Sequence, residues 1–186
     1  MDEKPWPLEQ FAPELGGASW RLGSGTTTQG EDIAISPPAD LLETHYGNQA
    51  VTRIRRTEAR LTLTSYNPAV VGEEDLYFGL YLQSPDNDSQ RAGVHVQVVP
   101  GTNVVNLSLI NGEEVLPVLQ RSYNVITLDL RIERNIATGD ITVFVNGAQL
   151  GGTIEGFEAE EPLLPVVFVR DGGVIVNVTS WRITLR

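Results

Sequence analysis

The chain of 186 residues has no cysteine, one methionine, two histidines and 13 Lys+Arg against 24 Asp+Glu, a formal net charge of -11. Without cysteine there is no thiol nucleophile, no Fe–S cluster and no Cys-ligated zinc, although the lack is neutral about compartment. Two histidines leave little for a His-rich metal site. The acidic balance argues against non-specific nucleic-acid binding and adhesion to anionic lipid, both of which depend on Lys and Arg neutralising phosphate. No apolar run approaches the roughly 20 residues of a membrane helix, so direct membrane insertion is not expected. Residues 1–17 carry Pro5, Pro7, Pro13 and four acidic side chains, with no apolar run of signal-peptide length. They read as a loosely held arm before a single domain over 18–186. At this length folding should bury about 70% of the surface that the unfolded chain exposes, enough for a core without disulfides or structural zinc.

What the chain has instead is strand after strand. From Leu61 onward apolar residues recur at every second position, with turn residues between. In Ile126-Thr127-Leu128-Asp129-Leu130-Arg131-Ile132-Glu133 four aliphatics face one side and four polar side chains the other, the period-2 code of a sheet with one wet face. Arg60 to Thr64 and Val94 to Val98 repeat it. Asn111-Gly112 and Asn146-Gly147 supply the two φ > 0 positions of a type I′ turn, so Val104 to Ile110 should pair with Val115 to Leu119. Further hairpin turns are expected at Ala137-Thr138-Gly139-Asp140 and at Asp171-Gly172-Gly173. One short helix is expected near 37–46, where Ser36-Pro37-Pro38-Ala39-Asp40 looks like a helix start and Gly47 like its end. About ten or more strands in one domain of this size predict an all-β antiparallel β-sandwich or closed barrel. No fixed-period repeat points to a propeller or solenoid.

The stretches Ile126 to Ile132, Gly139-Asp140-Ile141-Thr142-Val143-Phe144-Val145-Asn146-Gly147, Val166 to Val169 and Val176-Asn177-Val178-Thr179-Ser180-Trp181-Arg182-Ile183 resemble the concanavalin A-like lectin/glucanase jelly rolls of the laminin-G type. The resemblance implies that the last strand returns beside the first, placing Ser180-Trp181-Arg182 near Ala18-Ser19-Trp20-Arg21. It also implies an extracellular or cell-surface setting. The superfamily includes glycan-binding modules, protein-binding adhesion domains and polysaccharide-cleaving enzymes, so it implies a fold more than a function.

Enzyme chemistry finds less support in the residues. Retaining glucanases of the superfamily carry E-x-D-x-x-E or E-x-D-x-E on one strand, and no such segment exists here; Glu73-Glu74-Asp75 has the wrong spacing and reads as a turn. Arg56-Thr57-Glu58-Ala59-Arg60, Tyr77-Phe78-Gly79-Leu80-Tyr81-Leu82-Gln83 and His95-Val96-Gln97 resemble fragments of alginate-lyase motifs. They depart from them at Ala59 and Gly79, in the order of His95 and Gln97, and in strand order. The chemistry a lyase needs, a cation for a carboxylate and a Tyr or His to move a proton, is represented. The expectation nevertheless leans away from an enzyme.

The same residues suggest a surface. If Phe78, Leu80 and Leu82 face the core, then Tyr77, Tyr81 and Gln83 face out, and on the next strand His95 and Gln97 face out while Val94, Val96 and Val98 go in. Aromatic faces stack on sugar C–H surfaces while amides and imidazole hydrogen-bond hydroxyls. The competing reading is an ordinary set of cross-strand pairs without a ligand. The expectation is a non-catalytic recognition module for a glycan, with a protein ligand or a structural role as alternatives. No cofactor is required, but Asp86 and Asp88 in Ser84-Pro85-Asp86-Asn87-Asp88-Ser89 are candidate calcium ligands in a loop whose composition also suits a simple turn. Three glycosylation sequons begin at Asn87, Asn106 and Asn177, two of them within expected strands. Arg53, Arg55, Arg56 and Arg60 form the one basic cluster, most simply neutralised by carboxylates. Trp6, Trp20 and Trp181 are expected as core or arm anchors.

Overall fold

A computed structural model describes residues 4–5, 20–22, 26–29, 32–35, 43–48, 54–66, 77–87, 89–99, 102, 104–123, 125–170 and 174–185. All described elements are strands: β1 (Lys4–Pro5), β2 (Trp20–Leu22), β3 (Thr26–Gln29), β4 (Asp32–Ile35), β5 (Glu43–Asn48), β6 (Ile54–Tyr66), β7 (Tyr77–Gln83), β8 (Arg91–Val98), β9 (Val104–Asn111), β10 (Glu114–Ser122), β11 (Thr127–Arg134), β12 (Ile141–Val145), β13 (Ala148–Gln149), β14 (Leu164–Arg170) and β15 (Val174–Leu185). They form two antiparallel sheets. One has eight strands, in the order β13-β12-β11-β6-β15-β4-β3 with β1 also on β15; the other has seven, in the order β10-β9-β8-β7-β14-β5-β2.

The alternating pattern of the sequence becomes the core between the sheets. Leu61, Leu128, Leu130, Ile132 and Val143 from one sheet meet Phe78, Leu80, Leu82, Val94, Val96 and Leu107 from the other, all essentially inaccessible. Trp181 is part of this core, and its indole N–H donates to the Thr57 hydroxyl at 2.9 Å, which satisfies both polar groups where water cannot reach. The expected β9–β10 hairpin forms, with Val115 opposite Ile110. Its turn lies one residue later than the Asn-Gly pair suggests. Asn111 is still a strand residue, and of the central pair Gly112-Glu113 only Gly112 has positive φ, 64°. Asn146-Gly147 does follow the type I′ pattern, with φ of 50° and 82° between the partners Val145 and Ala148. The 137–140 turn joins β11 to β12 as expected, with Arg134 opposite Ile141.

Three expectations need correction. Residues 43–46, assigned to the short helix near 37–46, lie in β5, paired on β14 and β2; two ladders of backbone hydrogen bonds outweigh a local start-and-stop pattern worth little over so few residues. Residues 37–42 lie outside the described residues. Asp171-Gly172-Gly173 lies outside the described residues, but the strands on either side of it, β14 and β15, belong to different sheets and do not pair as the hairpin expected there. The last strand does not return beside Trp20. β15 pairs with β6, β4 and β1, while Trp20–Leu22 pairs with β5 in the other sheet. Of the 1–17 arm, Lys4 and Pro5 pair with Leu185 and Thr184, and the rest, with Trp6, Arg53, Glu73-Glu74-Asp75 and Asp88, lies outside the described residues.

Candidate functional site

The seven-stranded sheet brings the candidate residues onto one face. β7 and β8 are hydrogen-bonded neighbours, and the register sets Tyr77 opposite Gln97, Gly79 opposite His95, Tyr81 opposite Gly93 and Gln83 opposite Arg91. Phe78, Leu80, Leu82, Val94, Val96 and Val98 all enter the core, so these partners point away from it. The outward positions continue as rows across the sheet. One runs Gln120, Asn106, Gln97, Tyr77, Arg170; the next runs Pro117, Ser108, His95, Gly79, Phe168; a third runs Val115, Ile110, Gly93, Tyr81, Val166.

The first row is a chain of hydrogen bonds. Gln120 Nε2 donates to Asn106 Oδ1 at 2.8 Å, Asn106 Nδ2 donates to Gln97 Oε1 at 3.1 Å, and Gln97 Nε2 reaches the Tyr77 hydroxyl at 3.4 Å. Each amide holds the next in one orientation, so four side chains from four strands are fixed as a unit. The second and third rows are aromatic and apolar. His95 stacks on Tyr77 with ring centroids 4.3 Å apart and on Phe168 at 5.6 Å, and Phe168 meets Tyr81 at 5.3 Å. Gly79 makes room for this: a Cβ there would lie 2.8 Å from Phe168 Cε1. Gly93 does the same for Tyr81, whose Cβ would be 2.7 Å from the added atom. Arg91 and Arg170 lie over the Tyr81 and Tyr77 rings at 5.6 and 5.7 Å.

Tyr81 takes a different role from the one expected. With Ile110, Leu164, Val166 and Phe168 it forms a second, smaller apolar cluster, and it is fully buried. Facing away from the main core did not expose it, because β14 presents apolar residues on both faces. Tyr77, Gln83, His95 and Gln97 stay half-buried. Sequence reasoning missed Asn106, Gln120, Phe168 and Arg170. Alternation within β9 would have turned Asn106 outward, but nothing local says that β9 lies beside β8 or β14 beside β7.

The fragments reminiscent of lyase motifs do not converge. Arg56, Glu58 and Arg60 lie on β6 in the eight-stranded sheet, on the far side of the core from Tyr77 and His95. There two members of the basic cluster meet carboxylates as expected: Arg56 meets Glu133 at 3.0 Å and Arg60 grips Asp129 through two bonds of 2.7 and 2.9 Å; nearby, Arg182 approaches Glu58 at 3.9 Å. The Asp129 carboxylate raises the Arg60 guanidinium above its ordinary value through that hydrogen bond. In the candidate calcium loop Asp86 is exposed, and the Asn87 side chain accepts from the Ser89 N–H at 3.1 Å, a local Asx turn. Among the described residues no three His, Asp or Glu side chains gather as a metal site.

No family model matches the chain, and no curated protein matches it in sequence. Solved structures do match. The alginate lyase PA1167 from Pseudomonas aeruginosa superposes with a TM-score of 0.65 at 12% identity, over 88% of this chain and 86% of that one. The metal-free carbohydrate recognition domain of Emp46p gives 0.61 at 8% identity, over 92% and 89%. The exoplasmic/lumenal domain of VIP36, in its Ca2+/Man3GlcNAc-bound form, gives 0.57 at 11%, over 91% and 84%. The fold is a concanavalin A-like jelly roll. At such identities the likeness is one of architecture, and the side chains must speak for function.

Proposed function

We propose that the protein is a non-catalytic recognition module that binds carbohydrate along the outer face of its seven-stranded sheet. The observation that carries this reading is the fixed row Gln120-Asn106-Gln97-Tyr77 beside the stacked His95 ring. The ladder uses one N–H each of Asn106 and Gln120, which leaves a second on both for a sugar hydroxyl. Such groups, held in place before binding, lose little rotamer freedom when a ligand arrives. Tyr77, Gln83, His95 and Gln97 are the contact residues of this proposal, and Tyr81 supports them from beneath. The carbohydrate recognition domains among the structural neighbours are consistent with it.

The test is a glycan array on the purified protein, with and without EDTA, followed by Gln97→Ala on any hit. Binding that falls at least fivefold in the variant supports the site. A silent array, or hits indifferent to Gln97→Ala, refutes it. The EDTA arm decides whether calcium contributes, with Asp86 and Asp88 as the proposed ligands.

A polysaccharide-active enzyme is the second reading, favoured by the meeting of Tyr77, His95, Gln97 and Arg170 and by the lyase among the neighbours. It is the weaker one. The Tyr77 hydroxyl is occupied by Gln97, and its ring lies flat on His95 rather than presenting a hydroxyl beside an imidazole nitrogen. Release of new chain ends from a bound polysaccharide, lost in Tyr77→Phe, would reinstate it.

A further inference from the structure

Charge is distributed unequally between the two faces of the sandwich. On the eight-stranded sheet Arg56, Arg60 and Arg182 are matched by Glu133, Asp129 and Glu58. On the seven-stranded sheet the three rows across β10, β9, β8, β7 and β14 hold no Asp or Glu at all, in a chain with 24 of them. They hold amides, hydroxyls, aromatics, aliphatic side chains and Arg170, and Arg91 follows one row further on. Neither arginine meets a carboxylate among the described residues; Arg91 donates to the Gly112 carbonyl at 3.1 Å, and both guanidinium groups rest over tyrosine rings. Among the described residues, the register brings Glu43 of β5 to this margin, opposite Arg170.

From this segregation we infer that the ligand is an acidic glycan, a polymer bearing carboxylate or sulfate groups, one of which is held by Arg170 at the end of the amide row. The inference rests on the carbohydrate-binding reading and deepens it by naming the ligand's charge. Arg170 follows the amides in the row that begins at Gln120, with Glu43 of β5 next beyond it, so a chain laid along the amides reaches the guanidinium as its next contact. Stacking on Tyr77 keeps the guanidinium at the face, and Arg's planar fork suits a two-oxygen group. Arg91 lies at the opposite end of β7, six residues away and therefore roughly 20 Å along the strand. Two separated cations suit a polymer with repeated charges better than a single sugar. The net charge of -11 does not oppose this, because beyond a Debye length of about 8 Å at physiological salt the distant carboxylates are screened while a contact at Arg170 is not.

The experiment pairs each charged polymer with a neutral twin: polygalacturonate with its carboxyl-reduced form, and dextran sulfate with dextran. Affinity is measured at about 50 and 500 mM salt for the wild type, Arg170→Gln, Arg91→Gln and Gln97→Ala, each checked by thermal denaturation. The expected result is at least tenfold tighter binding of one charged polymer than of its twin, weakening with salt, with Arg170→Gln losing most of that preference. The carboxylate and sulfate arms identify which anion is recognised. If twins bind equally, or Arg170→Gln and Arg91→Gln both keep the preference, the inference falls, while loss in Gln97→Ala would leave the carbohydrate-binding reading standing. If no polymer binds, the inference falls, and the glycan array alone decides the carbohydrate-binding reading.

Discussion

Gly79 offers the sharpest test of how the site is built, because a single added methyl group must disturb it. Gly79 lies on the outward row of β7 between His95 and Phe168. A Cβ there would be 2.8 and 3.1 Å from Phe168 Cε1 and Cζ and would overlap the backbone carbonyl oxygen of Val94. Its φ is outside the left-handed region, so Gly79→Ala carries no conformational penalty and its effect is steric. Overpacking of this kind costs about 1–3 kcal/mol. Displacing the Phe168 ring from Tyr81 and His95 removes up to about 0.5–1.5 kcal/mol per pair, while the stiffer unfolded chain returns about 0.4–1. The expected net loss is about 2–4 kcal/mol, read from urea denaturation as a lower midpoint at unchanged slope. Gly147→Ala is the matched control: nothing lies within 4 Å of its Cβ, and its φ of +82° makes the loss purely conformational, about 1–2 kcal/mol. Adding Phe168→Leu to Gly79→Ala should recover part of the loss, because only the ring can yield and the Val94 carbonyl cannot. A Gly79→Ala protein no less stable than Gly147→Ala would refute the packing account of this face.

Other substitutions probe other parts. Trp181→Phe strands the Thr57 hydroxyl in the core and should cost about 2–4 kcal/mol, and adding Thr57→Val should cost less than it does in the wild type, as a double-mutant cycle of thermal melts would show. Asn146→Gly keeps the turn's positive φ but loses the bond from the Asp129 N–H at 2.9 Å, whereas Asn146→Ala loses both; losses of about 1 and 2 kcal/mol, in that order, are expected from urea titration. Arg134 is buried, donates to the carbonyls of Glu161 and Glu158, and is lowered from its ordinary value by desolvation, so Arg134→Ala should lose about 2–4 kcal/mol by urea titration. A base whose value is lowered on folding costs stability at every pH below that value. Because a guanidinium stays charged throughout that interval, the deficit should be constant from about pH 5 to 9. A slope there would refute the assignment.

The sheets were legible because alternation has a simple cause: one face of each strand meets the core, and a polar residue on that face would be buried without a partner. Leu128 to Ile132 and Val94 to Val98 therefore declared both their strand state and their facing. The site was legible only in its first two strands. Tyr77, Gln83, His95 and Gln97 are outward because Phe78, Leu82, Val94 and Val96 are inward, and β7 and β8 are neighbours in the chain as in the sheet. Phe168 and Arg170 come from 70 or more residues away in the chain, and no local pattern encodes which strand sits beside β7. Tyr81 shows the opposite limit. Its facing was right and its exposure was not, because burial depends on the apolar outer face of β14, which reads in sequence only as a continuous hydrophobic run. The helix expected near 37–46 failed for a related reason: capping residues describe how a helix would begin, not whether two strands stand ready to pair with the segment.

The two outer faces bear on function through how each handles its polar groups. On the eight-stranded sheet Arg56, Arg60 and Arg182 are held by carboxylates on adjacent strands and Arg131 by Glu133 of its own strand, so a ligand there would have to displace bonds such as the two between Arg60 and Asp129. Its cations are matched to acidic side chains by ion pairs. The seven-stranded face is ordered differently: its amides run in one direction, Gln120 donating to Asn106, Asn106 to Gln97 and Gln97 to Tyr77, and the row passes on to a guanidinium with no carboxylate bond among the described residues. Order there is achieved with hydrogen-bonding capacity left over. A surface that only needed to stay soluble could have used the charges plentiful elsewhere in this chain, with lower demands on geometry. Fixed orientation, unspent donors and an aromatic bed are the conditions under which a weak, many-contact ligand such as a polysaccharide loses least on binding, which is the reason the proposed site is put on this face.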